Sequence, residues 1–188
     1  MESITSNQLS RLRVKRRLAL TLACALIQCG SSPCSRYLLQ RDSIFFCTST
    51  GQEHDFDRPY LSTQFEDHMS EPVAADMAVQ HRCHTVLQLG ILLLEIHKGQ
   101  QFLSYWTPEE LASSSPNTEL IVARRLLNTL EEWCERYKAA VSACLDITWV
   151  PTGRAVDLSD PHTSVNYYNA IVKPLEEEVK WFFSTNFA

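Results

Sequence analysis

The chain has 188 residues, 45% of them hydrophobic and 21% charged, with a formal net charge of -5. That length supports one domain with a full core, and that balance is the ordinary one for soluble globular proteins. The negative charge excludes a general attraction to nucleic acid, and only 5 glycines argue against an all-β protein with many tight turns.

Residues 1–7 are polar and read as a frayed end. Ser6 or Asn7 caps a first helix over 8–29, which ends at Gly30-Ser31-Ser32-Pro33. Leu9, Leu12, Arg16, Ala19, Ala23 and Leu26 recur on its successive turns. Its opening cluster, Arg11, Arg13, Lys15, Arg16 and Arg17, opposes the helix dipole and reads as a solvated face, with an acidic partner as the alternative. The same cluster before the apolar run 18–29 also has the shape of a signal peptide, but no small-x-small cleavage site follows. The run is too short to span a bilayer.

Ser43-Ile44-Phe45-Phe46-Cys47-Thr48 is β-rich and predicts one arm of a small hairpin near 43–60, with its return arm near 54–60. Residues 58–62 read as extended, because the residue before a proline avoids the helical region. Residues 64–72 are an acidic loop. The period of Val79, Cys83, Val86, Leu87, Gly90, Leu93, Leu94 and Ile96 predicts a central helix over 79–98. It is apolar over more than one stripe, so other helices must surround it. Gly90 lets a second backbone approach, and Lys98-Gly99 makes the stop.

Residues 100–106 form a connector with exposed aromatics, and Thr107-Pro108-Glu109-Glu110 a capping box opening a short helix. Residues 113–117 read as a loop, 118–137 as one amphipathic helix, and 139–145 as a further helical segment. After a loop over 149–161, a last helix runs from 161 to about 183, with Pro174 kinking or breaking it. The cysteines at 24, 29, 34, 47, 83, 134 and 144 are odd in number and scattered, several inside apolar helical patterns. They read as reduced thiols in a cytoplasmic setting.

Two resemblances follow from these motifs. Leu89-Gly90-Ile91-Leu92-Leu93-Leu94-Glu95-Ile96, with Gly99 beyond it, resembles the central helix of the protein-kinase C-terminal lobe. Over nearly the whole chain, residues 13–28, 42–46, 59–62, 89–96 and 172–179 resemble, in order, the motifs of a family of fungal kinase-like domains of unknown function. The resemblance implies a mainly α fold: a single domain over 1–188, a helical bundle like a kinase C-lobe around helix 79–98. It also implies a degenerate site. No glycine-rich loop or strand lysine precedes the lobe-like region, and counting back from Asp42 puts Ser35-Arg36-Tyr37 where H-R-D stands in kinases. A phenol replaces the catalytic base, Asp55-Phe56-Asp57 lacks the glycine of D-F-G, and Thr85 stands where an anchoring aspartate is usual.

No catalytic residue and no cofactor is therefore expected. Asp42 and Asp55 are the candidates for residual nucleotide or magnesium binding. His81 and His84 are spaced to share a helix face, yet no second cluster with ligand spacing exists, so no metal is expected. Tyr105, Trp106, Tyr167, Tyr168, Trp181, Phe182, Phe183 and Phe187 read chiefly as core, with a partner-binding patch as the alternative. The expected function is a non-catalytic interaction or regulatory module of a fungal protein, whose partner is another protein or a missing neighbouring domain. A nucleotide-binding pseudokinase and a secreted protein are the alternatives.

Overall fold

The computed structural model describes residues 6–29, 44–46, 59–61, 81–113, 115, 117–130 and 134–184. The fold is mainly helical, as expected. Helix α1 (Ser6–Cys29) is followed by two three-residue strands, β1 (Ile44–Phe46) and β2 (Pro59–Leu61). They pair antiparallel with Ile44 opposite Leu61 and Phe46 opposite Pro59. Then come α2 (His84–Lys98), a 3₁₀ turn (Phe102–Tyr105), α3 (Pro108–Ala112), α4 (Thr118–Leu127) and α5 (Glu135–Asp146). The chain closes with α6 (Pro161–Tyr167), a π turn (Tyr168–Val172) and α7 (Lys173–Ser184).

α2 lies at the centre, against α1, α4, α5 and the 3₁₀ turn. Val86, Leu87, Leu89, Gly90, Ile91, Leu93, Leu94 and His97 are all buried, which is the two-stripe pattern of a helix covered on several sides. Gly90 is the contact point with α5: a methyl group there would stand 2.9 Å from Cys144 Cβ and 3.0 Å from Leu145 Cδ2. Gly99 ends the helix in the left-handed region at φ 71, its N–H donating to Glu95 O.

The start of the central helix differs from the expected residue 79. Residues 81–83 are non-helical and Cys83 is extended. Backbone capture explains this. The Arg82 guanidinium donates to the carbonyls of Ile147, Val150, Pro151 and Arg154, in the turn after α5. The His81 ring reaches Cys144 O at 2.8 Å, so an extended segment is riveted to its neighbour. That turn contains Ile147 at φ 44, a conformation that a β-branched residue adopts only when its surroundings hold it.

The expected single helix over 118–137 is two. α4 stops at Leu127, and Tyr137 belongs to α5 together with the segment 139–145. The Thr129 hydroxyl bonds back to Leu126 O, and Lys98 Nζ donates to Thr129 O, fixing a turn that contains no glycine or proline. In the connector, Phe102 is buried rather than exposed. Thr107 and Glu110 form the full capping box of α3.

Pro174 acts through the π turn. Its ring would strike the carbonyl of Ala170 in a regular α-helix. The backbone widens instead, with Lys173 N–H donating to Tyr168 O. Asp160 caps the entry to α6 through Thr163 N–H. Tyr167 and Phe182 are core residues, whereas Tyr168, Trp181 and Phe183 are partly exposed.

Candidate functional site

Asp42 and Asp55 lie outside the described residues, as do Tyr37 and Phe187. Thr85 is half-buried in the first turn of α2. The shared-face reading of His81 and His84 is corrected, because His81 precedes the helix. Its Nε2–H donates to Cys144 O and its Nδ1 accepts from Cys83 N–H, so both ring nitrogens are spent on backbone. Burial holds its pKa below the usual histidine value, in keeping with the neutral ring that this pairing needs. Among the described residues no three His, Cys, Asp or Glu side chains come together in a metal-ligand arrangement.

The basic cluster of α1 is the expected solvated face only in part: Arg11 and Arg17 are exposed, Arg13 and Lys15 are half-buried, and Arg16 is inside. Arg16 is 1% exposed, on the stripe that also buries Ala19, Leu22, Ala23 and Leu26. Its Nε donates to Glu178 Oε1 at 3.2 Å, and its Nη2 to His97 Nδ1 at 3.1 Å and Cys134 Sγ at 3.4 Å. The guanidinium carbon lies 4.0 Å from the Tyr137 ring centroid. Burial pushes the Glu178 carboxyl up, and the Arg16 charge pulls it back. Arg13 Nε donates to Phe182 O, Lys15 Nζ donates to His97 O, and Arg17 stacks over Phe183 at 4.4 Å. The cations thus clasp α1 to α7 and to the end of α2, with no open side from which a ligand reaches Arg16.

A different face of α2 is open. Gln88, Ile91, Leu92 and Glu95 recur at helical spacing and form one wall of a 230 Å³ cavity. The opposite wall is Phe102, Leu103 and Trp106, with Glu119 from α4 beside them. Glu95 Oε1 accepts the Phe102 N–H at 2.5 Å, which sets the 3₁₀ turn against the helix. Gln88 Nε2 donates to Glu119 Oε2 at 3.0 Å. The Phe102 and Trp106 rings meet edge to face at 6.2 Å. Ile91 and Phe102 are buried while Leu103 is 58% exposed, so the cleft runs from the core to the surface. The buried Trp106 Nε1–H has no acceptor among the described residues.

Of this cleft only Trp106 stood among the sequence-derived candidates, as one of the aromatics with a partner patch as their alternative. The apolar band of α2 is wider than one stripe, and Ile91 and Leu92 lie at its edge, flanked at helical spacing by Gln88 and Glu95. What the sequence withheld is which later residues fold back over it.

No curated protein and no solved structure matches the chain. A family model described as a domain of unknown function, DUF7580, matches residues 2–182. With the match covering almost its full length, the chain belongs to the DUF7580 family.

Proposed function

We propose that this domain is a non-catalytic, kinase-C-lobe-like interaction or regulatory module of a fungal protein, acting in the cytoplasm on another protein or a neighbouring domain. The observation that carries the reading is the half-open cleft beside α2, where Leu103 is 58% exposed next to Phe102 and Trp106 and leaves room for a partner's side chain. The kinase-like part rests on five motifs in family order and on a glycine-notched central helix. The loss of catalysis rests on Tyr37 in the place of the proton-accepting aspartate. A secreted form cut near residue 30 is disfavoured, because α1 supplies Leu22 and Leu26 to the core.

Two measurements test this. Thermal unfolding with MgATP is expected to show no stabilisation and no phosphate transfer. A stabilisation that disappears in Asp42→Ala would overturn the reading in favour of a nucleotide-binding pseudokinase. Cross-linking in a fungal extract is expected to give an adduct with the wild type and none with Leu103→Asp, which alters only the exposed lip of the cleft.

A further inference from the structure

We propose that His81 is an acid-released latch. With its ring neutral it pins the entry of α2 to the end of α5, and with its ring protonated it lets Cys83 join the first turn of the helix. Local sequence and tertiary contact disagree at this point of the chain. Val79 and Cys83 continue the apolar period of α2, so local preference puts residues 81–83 inside the helix. Yet Cys83 is extended, at φ -148 and ψ 104, and the helix begins only at His84. A segment whose own pattern favours one conformation while its contacts impose another has two states close in energy.

The imidazole decides between them. A carbonyl and an amide hold it, and they ask opposite things of its two nitrogens. Cys144 O, 2.8 Å from Nε2, needs a proton there, whereas Cys83 N–H, 3.3 Å from Nδ1, needs a lone pair. Only a neutral ring meets both. Protonation makes Nδ1 a second donor facing the Cys83 N–H, so the bond that holds Cys83 extended is lost while the tie to Cys144 persists. The surroundings oppose that proton. Burial lowers the pKa of the ring, the Cys144 carbonyl pulls the other way, and the charges of His84 and Arg124 add to burial. Arg124 is itself paired with Asp146, and the buried thiols of Cys83 and Cys144 are pushed up and stay neutral. Arg82 remains clamped on the carbonyls of Val150 and Pro151, so the released segment stays tethered. Because the folded chain holds the ring below its unfolded value of about 6.5, stability is complete above that pH and declines as the pH falls beneath it.

Residue-resolved NMR of the full ¹³C,¹⁵N-labelled chain, titrated from about pH 7.5 to about pH 5, tests this. The His81 ring carbons are expected to titrate with a midpoint below about 6.5. The Cys83 Cα resonance is expected to move from extended toward helical values with the same midpoint. Hydrogen-exchange protection of the Cys83 N–H, corrected for its intrinsic rate, is expected to fall about tenfold for each pH unit by which that midpoint lies below the free-histidine value. His81→Gln keeps a donor for Cys144 O but cannot titrate, and is expected to show no pH response at Cys83. A Cys83 resonance that stays put while the ring titrates, a ring that titrates at the free value or above, or a ring still neutral at the acid end would each overturn the proposal. So would a His81→Gln chain that responds as the wild type does. If that variant fails to fold, the shared midpoint of ring and Cys83 in the wild type decides alone.

Discussion

Arg16 sits one position in every way out of character: a cation on an apolar stripe, 1% exposed, held by Glu178 from the far end of the chain. Removing one member of such a pair leaves a buried charge alone, while removing both leaves an apolar gap of tolerable cost. Arg16→Met is therefore expected to lower unfolding free energy by about 3–5 kcal/mol, and Arg16→Met with Glu178→Leu to recover most of that loss. Urea unfolding of the two variants measures the difference; a double variant no better than the single would remove Glu178 as the reason for the cost. Arg16 shares the stripe Leu12–Arg16–Ala19–Ala23, yet as one of five clustered cations it read as part of a solvated face. The sequence did not reveal its partner, because 162 residues separate the pair and no periodicity spans such a distance.

At the scale of elements, the central helix shows what periodicity can and cannot tell. Its apolar face, its notch and its left-handed stop were legible because they are local: Leu89 to Leu94, Gly90, Lys98-Gly99. Its start was not, because Val79 and Cys83 continue the apolar period while tertiary bonds from Arg82 and His81 pull the chain out of helix. The α4–α5 break was hidden for the same reason, lacking any glycine or proline to announce it. The notch offers a direct test. Gly90→Ala gains about 1 kcal/mol of helix propensity. It also forces a methyl against Cys144 and Leu145, an overpacking cost of about 1–3 kcal/mol. The clash is expected to prevail and lower the thermal unfolding midpoint; a raised midpoint would mean that α2 and α5 can part at no cost.

For the whole molecule, α1 closes the bundle over α2 and α7, and its loss exposes more than its own surface. Burying Leu22 and Leu26 is worth about 1.5–3 kcal/mol each, and Glu178 would lose its cation, a deficit comparable to the total stability of a domain. A chain starting at residue 31 is therefore expected to show reduced far-UV helicity and no cooperative melting; a sharp melting transition would show the remaining helices to be self-sufficient. The cleft belongs to this scale as well. Its walls come from three segments spread over residues 88–119, which is why composition and motif reading did not assemble it. The widened turn ahead of Pro174 bears on the length of the last helix. Tyr168–Val172 holds one residue more than an α-helical count requires, so the rod carries a spare unit of phase. A chain one residue shorter within that turn would keep Tyr167 and Leu175 on the same side only by setting the Pro174 ring against a carbonyl of the preceding turn. The same deletion within α7 would rotate everything beyond it by about 100° and turn Phe182 away from the interior.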